Sequence, residues 1–344
     1  MAAVTLKDIA REANLSATTV SQVLNGRRLN HASPRSRKLV LDIAQKLNYR
    51  PNLSARQLVT RKNNIVGILI DSMSPLLFRE VLVELERFAF ANGLRLQVGM
   101  VHDNLQAIKN YIDDFLGSGV RSVICAAHTY PEFGSSIPEL LKDFDRVVFL
   151  EKPVTGSSFP YVASDHYRNH YTAVTRMLKH GYRRICCLRQ DYHDCAFTAS
   201  YQGFKQAFID FGESWQEEFW QSCSNWRVSP SRASAMRERF VDDLRSILAK
   251  KPEVIILDSD REMLMALRLL RTMSLRVPED VCLFSAESSP YAADMTPSLA
   301  GFQYRPKVIA ERIFASLEKQ GGGDAVIAPE LVTAMIFPGE SCPL

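Results

Sequence analysis

Residues 16–26 read SATTVSQVLNG and place hydrogen-bonding side chains along one side of a short helix. The outward positions of that helix are Ala17, Thr18, Ser21, Gln22 and Asn25. Gln22 can form two hydrogen bonds with an adenine edge, and the methyl groups of Ala17 and Thr18 can contact a thymine methyl. This face has the chemistry to read bases in the major groove of DNA. The same stretch also fits the capped start of an ordinary amphipathic helix.

Several hydroxyl groups nearby suit contacts with DNA phosphates rather than with bases. They are Thr5, Ser16, Thr19 and Ser21, and the helix N-terminus adds backbone N–H groups. Residues 1–62 carry a net charge of +9, whereas the rest of the 344-residue chain carries −5. A small basic segment favours polyanions because neutralised phosphates release condensed counterions. Charge alone leaves open a solvated basic face with no partner.

Three short helices are expected to position these side chains. Thr5 is suited to cap the first helix, and Asn14 tolerates the left-handed backbone that can end it. Ser16 can then cap the second helix, and Pro34 fits the first position of a third. Two helices joined by a tight turn predict an all-α helix-turn-helix domain over residues 1–48.

Residues 49–62 form a different kind of segment. Pro51 disfavours helix just before it, and Asn52 can cap a short helix that ends near Thr60. A helix this short, with few apolar residues, is not stable alone in water. We therefore expect a hinge helix that needs DNA or a second copy of itself, followed by a linker.

From residue 63 onward, apolar strand segments alternate with amphipathic helices. The alternation predicts an α/β body of two doubly wound halves, about 63–162 and 163–290, each with a parallel sheet between helices. The remaining tail contains further strand and helix patterns. We expect residues 291–323 to return to the first lobe and residues 324–344 to complete the second.

Polar residues collect where the predicted strands of the body end. These positions are Asp71-Ser72-Met73, Asp165-His166, Gln190-Asp191, Asp258-Ser259-Asp260 and Ala286-Glu287-Ser288. Ligands of open α/β sheets bind beyond the carboxyl ends of strands and between domains. The sequence therefore predicts a small-molecule cleft between the two lobes.

Other chemistries have little support in the sequence. The seven cysteines form no CxxC pair, which favours small buried residues in a reducing cytoplasm. No run of 18 apolar residues predicts a membrane span, and the N-terminus lacks the layout of a secretory signal. His166 and His170 lack the glutamate of an HExxH motif, and no phosphate-binding glycine motif follows a strand. We expect no metal, no cofactor and no catalytic residues.

The segments TLKDIAREANLSATTVSQVLNG and LNYRPNLSARQL, ahead of a two-lobed α/β body, resemble the lactose/galactose repressor (LacI/GalR) family. The resemblance covers nearly the whole chain and is most specific at the N-terminus. It implies a cytoplasmic regulator of transcription, by analogy a repressor, that binds a palindromic operator as a homodimer or a dimer of dimers. It also implies a periplasmic-binding-protein-like body that binds a small effector between its lobes.

The resemblance extends the DNA contacts to the hinge, where Leu58 would wedge into the minor groove. The complete expected set is Thr5, Leu6, Ser16, Ala17, Thr18, Thr19, Ser21, Gln22, Asn25, His31, Tyr49, Asn52, Ala55, Gln57 and Leu58. The family usually has arginine at the position of Gln22. Glutamine in place of this arginine predicts a half-site that lacks the guanine contact, with adenine as the base read at that position.

The resemblance also assigns residues to the effector cleft. Asp260 matches the family's cleft aspartate, Trp226 an aromatic residue that stacks on the ligand, and Gln303 a polar position near the lobe crossover. The complete expected set is Ser72, Phe78, Asp165, Ser200, Trp226, Asp260, Glu287 and Gln303. Carboxylates beside an aromatic face suit a polyol, so we expect a carbohydrate or a derivative of one.

Two departures from the family pattern concern this cleft. Ser200 stands where the family has an arginine before the glycine of RxxGF, and residues 285–288 read SAES in place of GFDD. Because arginine is the bidentate clamp for hydroxyls or carboxylates, its loss argues against the usual monosaccharide. Two alternatives stay open beside a non-enzymatic regulator: a solute-binding or sugar-processing protein with a basic arm, and an effector-independent architectural DNA binder.

Overall fold

The computed structural model describes residues 4–24, 33–49, 64–72, 74–102, 104–130, 132–153, 157–190, 195–223, 233–321 and 327–344. These residues form two compact units, one within residues 1–62 and one within residues 63–344. In the described part of the chain, every helix is too short or too polar to span a bilayer. The expected hinge helix lies outside the described residues.

The N-terminal unit has the three predicted helices, α1 (Leu6–Ala13), α2 (Ala17–Leu24) and α3 (Pro34–Lys46). Local side chains set their ends. The backbone N–H of Thr5 donates to the Asp8 carboxylate at 2.9 Å, and α1 ends at Asn14, whose φ is 52°. At the start of α3, Oγ of Ser33 accepts from the backbone N–H of Ser36 at 3.1 Å. These caps satisfy N–H groups that a helix end leaves unpaired.

A small apolar core holds the three helices together. It consists of Ile9, Ala10, Ala13, Val20, Val23, Val40 and Ile43. Val20 and Val23 lie three residues apart, so α2 turns one narrow stripe inward and leaves its opposite face outside the core. The helix-turn-helix prediction is therefore confirmed for the described residues.

The larger unit contains two six-stranded sheets, which define a first and a second lobe. In spatial order, the first sheet comprises β2 (Arg95–Val101), β1 (Ile65–Asp71), β3 (Ser122–Ala126), β4 (Arg146–Leu150), β5 (Tyr161–Ser164) and β11 (Glu330–Val332). All neighbouring strands are parallel; for example, Ile68 of β1 lies opposite Ile124 of β3. Continuous apolar strands such as β1 are typical of parallel sheets that are covered on both faces.

The second sheet has the same plan with one reversed edge strand. In spatial order it comprises β7 (Trp220–Cys223), β6 (Ile185–Gln190), β8 (Val254–Leu257), β9 (Cys282–Ser285), β10 (Ala300–Gln303) and β12 (Met335–Phe337). Its strands are parallel except for β12, which runs antiparallel to β10.

Helices cover the sheets of both lobes. In the first lobe they are α4 (Leu76–Ala91), α5 (Leu105–Gly117), α6 (Ile137–Leu140) and α11 (Pro306–Lys319). In the second lobe they are α7 (His166–Lys179), α8 (Cys195–Phe211), α9 (Ala233–Ala249) and α10 (Asp260–Thr272). Among the residues that the structure describes, short 3₁₀ turns span Gly134–Ser136, Glu217–Phe219 and Ala292–Asp294. The two doubly wound α/β lobes that the alternation predicts are confirmed.

The chain crosses between the lobes at three places, and two expected lobe boundaries are wrong. Strand β10 pairs with β9 in the second sheet, so residues 300–303 do not belong to the first lobe. Strand β11 pairs with β5 in the first sheet, so residues 330–332 do not belong to the second. The chain crosses to the other lobe only after β10 and again after β11. Each of these short strands is placed by the strand it pairs with, and the local sequence pattern does not encode that partner.

Two strands and one helix end also differ from the sequence pattern. Strands β5 and β7 were not predicted; each has four residues and mixes polar with apolar side chains. Helix α6 stops at Leu140, although the apolar spacing of the segment IPELLKDF predicts a helix over residues 137–144. The described cysteines behave as expected: Cys125, Cys186, Cys187, Cys282 and Cys342 are buried and unbridged.

Candidate functional site

Helix α2 presents the polar face that the sequence assigned to DNA. Ala17 and Thr18 are exposed, and Ser21 and Gln22 are partly exposed, on the side away from the core. The apolar stripe of α2 is buried, so the helix cannot rotate this face inward without losing its packing. The arrangement leaves a short row of hydroxyl, methyl and amide groups for a partner.

The hydroxyl groups at the two helix starts are engaged in caps. Oγ of Ser16 accepts from the backbone N–H of Thr19 at 3.1 Å and lies 2.8 Å from the Thr19 hydroxyl. The Thr5 hydroxyl donates to Asp8 at 2.7 Å, and this bond holds the pKa of Asp8 below its usual range. Phosphate contacts at these positions would therefore rely chiefly on backbone N–H groups at the helix ends.

The remaining predicted DNA contacts divide into two groups. Leu6 and Tyr49 are partly buried and pack against the helix core, and burial raises the pKa of the Tyr49 hydroxyl. The others lie outside the described residues: Asn25, His31, Asn52, Ala55, Gln57 and Leu58. The minor-groove wedge at Leu58 stays a prediction.

The larger unit contains a cleft of about 640 Å³ at the carboxyl ends of strands from both sheets. Ser72 follows β1, Glu151 follows β4, Asp258 follows β8 and Glu287 follows β9, and all four line it. The cleft thus lies where parallel sheets bring polar strand ends together.

The structure brings four predicted cleft residues together and leaves three elsewhere. Ser72, Phe78, Asp260 and Glu287 line the cleft. Of the other described candidates, Asp165 caps α7 through a 2.9 Å bond from the backbone N–H of Arg168. Ser200 is buried behind the wall, and Gln303 is an exposed residue at the end of β10. Trp226 lies outside the described residues.

Sequence reasoning missed Arg189, a cation at the end of β6 that lines the cleft. Its Nε donates to Asp258 at 2.6 Å, and its Nη1 donates to the Ser200 hydroxyl at 2.7 Å. Burial opposes the guanidinium charge, but the Asp258 carboxylate outweighs it and raises the pKa of Arg189. A charged residue at the end of the apolar run ICCL was the signal available in the sequence.

His170 supports this buried ion pair from α7. Its Nδ1 donates to the backbone carbonyl of His166 at 2.9 Å, and its Nε2 lies 3.4 Å from Nη1 of Arg189. Burial and the neighbouring guanidinium hold the pKa of His170 well below its ordinary value. The neutral ring, with its hydrogen on Nδ1, can therefore accept from Arg189 rather than repel it.

Three buried polar atoms in residues that line the cleft have no hydrogen-bond partner among the described residues. They are Oγ of Ser74, Nδ1 of His166 and Oδ1 of Asp260. The second oxygen of Asp260 accepts from the backbone N–H of Ser289 at 2.6 Å, which fixes the side chain. An unpaired buried polar atom costs about 1–3 kcal/mol, so a ligand or water at this wall would be stabilising.

Part of the cleft wall is built at a lobe crossover. Glu151 accepts from the backbone N–H of Ser164 at 2.9 Å and lies 3.2 Å from Nε2 of His166. The Tyr304 hydroxyl, at the second crossover, donates to the carbonyl of Ala286 at 2.9 Å. Glu151 and Tyr304 therefore line the cleft and also make hydrogen bonds at the crossovers between the lobes.

Apolar side chains face the polar strand ends. Phe78 and Phe197 line the cleft, and Phe197 packs edge-to-face on Trp220 with ring centroids 5.4 Å apart. Such a mixture of aromatic surface and a few fixed polar groups is typical of small-molecule sites. Among the described residues, no three His, Cys, Asp or Glu side chains are grouped to hold a metal ion.

Two family models match the chain, one at each end. A model of bacterial regulatory proteins, lacI family, matches residues 5–52, and a periplasmic binding protein-like domain matches residues 174–342. The chain belongs to the lacI family of bacterial regulatory proteins. Membership makes this lacI-family protein a DNA-binding regulator of transcription and not an enzyme.

Relatives of this lacI-family protein match it along most of their length. The HTH-type transcriptional repressor PurR of Erwinia tasmaniensis is 25% identical over 315 residues, which are 91% of this chain and 89% of the relative. The solved lac repressor dimer bound to operator and the anti-inducer ONPF aligns with a TM-score of 0.83, 18% identity and complete coverage of both chains. The solved complex of the transcriptional regulator CelR with cellobiose aligns with a TM-score of 0.69 and 19% identity over 98% of this chain and all of that one.

Proposed function

We propose that this lacI-family protein is a repressor that binds a palindromic operator as a homodimer and responds to a small polyhydroxyl effector. The outward polar face of α2 carries the DNA part of the proposal. Ala17, Thr18 and Gln22 form a row that can reach base edges in the major groove. The positive charge of residues 1–62 supplies the attraction to phosphate.

An unusual apolar surface of the first lobe supports a homodimer. Val83 and Phe90 of α4 are exposed, as are Val98 and Met100 of the edge strand β2. Leu94 and Leu96, on the same face of the sheet as Val98 and Met100, pack into the core that α4 covers. The four exposed side chains thus share one side of the lobe. A second copy would cover them and the free edge of β2.

The polar atoms of the cleft support a polyhydroxyl effector. A carboxylate oxygen of Asp260 can accept a hydroxyl hydrogen, the Ser74 hydroxyl can donate or accept, and Phe197 offers an aromatic surface. Arg189 would provide a fixed guanidinium at the floor of the cleft. Fixed polar atoms without partners favour an effector-responsive protein over an architectural DNA binder. The cellobiose in the CelR complex is a compound of this class.

The mechanism we propose is thermodynamic linkage. An effector that binds one arrangement of the lobes more tightly shifts the equilibrium toward it and changes how well the dimer holds DNA. Reciprocity requires that operator DNA change the effector affinity by the same factor. The hinge residues Asn52, Ala55, Gln57 and Leu58 would transmit the change, and the protein would act where chromosomal DNA is, in the cytoplasm.

Selection of binding sites from a random DNA library tests the proposal. We expect the full chain to enrich a two-fold symmetric site, with an affinity that falls steeply as salt rises. Sedimentation of the complex would distinguish a dimer from a tetramer. A thermal-shift screen of neutral sugars should then find a ligand that raises Tm and alters operator affinity. Enrichment of no symmetric site, or an affinity independent of salt, would overturn the DNA part of the proposal.

A further inference from the structure

The N-terminus of α4 is capped from the opposite lobe. Pro75 stands at the N-cap position, and its side chain has no acceptor for the N–H groups of the first turn. The acceptor comes from Glu287, 210 residues further along, whose Oε1 lies 2.6 Å from the backbone nitrogen of Leu77. This bond joins the first lobe to the loop after β9 across the cleft.

Glu287 is held in that position by its own loop. Its backbone carbonyl accepts from the Ser285 hydroxyl at 2.8 Å and from the backbone N–H of Asp260 at 3.3 Å. Because the loop is fixed at the start of α10, the carboxyl group reaches α4 from a rigid base. Leu76, Leu77 and Glu287 all line the cleft. The bond therefore lies inside the proposed effector site.

A helix N-terminus of this kind is an anchoring point for anions, because its N–H groups are unpaired and its dipole is positive. A phosphate or carboxylate on a ligand would bind there if the position were open. In this cleft an internal carboxyl group already accepts from Leu77. A ligand anion would have to remove Glu287 and would lose the bond that Glu287 makes.

We propose, on the basis of the effector-binding function proposed above, that Glu287 determines ligand specificity by occupying the α4 N-terminus and barring anionic groups from it. The residue also links the two lobes directly, so a ligand that spares this bond is compatible with the arrangement of the lobes in this structure. An uncharged compound can fill the space beside Glu287 and contact Asp260 and Ser74. A phosphorylated or acidic analogue of the same compound cannot do so without breaking the cap.

The charges around Glu287 favour the same selectivity. Burial raises the pKa of Glu287, and the charges of Asp258 after β8, Glu262 on α10 and Glu80 on α4 act in the same direction. Among the described residues, four Arg and Lys side chains line the cleft: Arg189 and Arg261 are paired with Asp258 and Glu262, and Arg79 and Lys152 line it as well. The charges that act on Glu287 itself are those of the acids Asp258, Glu262 and Glu80. An anion beside Glu287 at the α4 N-terminus would meet their repulsion as well as a blocked donor.

Sulfate binding by the full chain at pH 8 tests this assignment, with equilibrium dialysis as the measurement and sodium chloride holding the ionic strength constant. We expect Glu287→Ala to bind one sulfate at least about tenfold more tightly than the unaltered chain. Glu287→Gln should gain less, because its amide oxygen can still accept from Leu77. Glu311→Ala, which removes an exposed acid from α11, should behave like the unaltered chain.

Two results would overturn the assignment. One is equal sulfate affinity in the unaltered chain and in Glu287→Ala, whether tight or absent. The other is an effector screen in which a sugar phosphate or sugar acid stabilises the unaltered chain more than its neutral parent does. Neither result depends on DNA. A failure of operator selection, by contrast, would count against the proposed function and leave the sulfate comparison intact.

Discussion

Gln22 is the residue that we expect to select a base, since its amide is on the outward face of α2 beside Thr18. An amide that makes two hydrogen bonds with adenine discriminates against other bases by about 1–3 kcal/mol. Gln22→Ala should therefore weaken binding to the selected operator by roughly tenfold to a hundredfold and relax one position in each half-site. Fluorescence anisotropy with the selected site and single-base variants measures both effects.

Gln45→Ala provides the matched control for that substitution. Gln45 is an exposed glutamine of α3, so its loss removes the same amide without touching α2. Operator affinity and half-site preference should stay close to those of the unaltered chain. If Gln22→Ala selects the same half-site with the same affinity, Gln22 does not read a base.

Glu287 should make the stability of the larger unit depend on pH. Burial and the neighbouring acids raise the pKa of Glu287 from an ordinary value of 4.5 to about 7. Between pH 4.5 and about 7, Glu287 therefore keeps its proton in the folded chain and has lost it in the unfolded chain. Stability should fall as pH rises through this window, by on the order of 2 kcal/mol for a partly buried group. Well above pH 7 the contribution of Glu287 should be constant.

Thermal melts of the unaltered chain and of Glu287→Gln between pH 4.5 and pH 8 measure this contribution. The neutral amide cannot titrate, so the difference in Tm between the two chains should change across the window and level off above it. Glu311→Gln should run parallel to the unaltered chain at every pH. A Glu287→Gln curve that also ran parallel would show that Glu287 keeps an ordinary pKa.

The short helices were the elements best predicted from the sequence, because their ends are set by neighbouring residues. Thr5, Asn14 and Ser33 act on N–H or carbonyl groups within a few residues, so the information is local. Strands β5 and β7 were missed for the opposite reason. Four-residue segments such as WQSC become strands only because β6 offers a partner at the sheet edge.

The ends of β6 and β8 are joined by the ion pair between Arg189 and Asp258, whose side chains are 12% and 9% exposed. Arg189→Leu should destabilise the larger unit by about 3–5 kcal/mol, because it leaves Asp258 buried without a counter-charge. Arg189→Leu with Asp258→Asn should recover much of that loss, since no buried charge remains. Chemical unfolding monitored by circular dichroism measures the difference.

A surface ion pair provides the control for the substitutions at the buried pair of Arg189 and Asp258. Arg276 and Asp280 lie 3.1 Å apart, but Arg276 is 70% exposed, so Arg276→Leu should change stability by less than about 1 kcal/mol. Arg189 illustrates the limit of sequence reasoning about the cleft. The sequence was enough to predict polar residues at the strand ends. It did not show which strand carries the guanidinium of the cleft, because that depends on which side chain reaches Asp258 and Ser200 in the folded chain. An equal effect of Arg189→Leu and Arg276→Leu would show that burial of the first pair is unimportant.

At the level of the whole chain, alternation of strands and helices was enough to predict two α/β lobes. It was not enough to place the strands near the C-terminus. Strand β10 belongs to the second lobe and β11 to the first, the reverse of what their positions in the sequence indicate. The crossings have a functional consequence. Asp165 accepts from Arg168 at the first crossing, and its backbone N–H donates to Val332 at the third. Residues expected to bind effector can thus connect the lobes instead.

The exposed face of α4 and β2 gives the last prediction, which concerns assembly. Phe90 is 78% exposed, and a single buried aromatic side chain contributes strongly to an interface. Phe90→Glu would place a charge against its symmetry mate in a two-fold dimer. We expect it to lower the dimer fraction by at least about tenfold in dissociation constant and to weaken operator binding in parallel. Sedimentation equilibrium measures the first effect, and Ile209→Glu, an exposed apolar residue of α8, should leave the dimer intact. A Phe90→Glu chain that remains dimeric at the same concentrations would locate the interface on another surface.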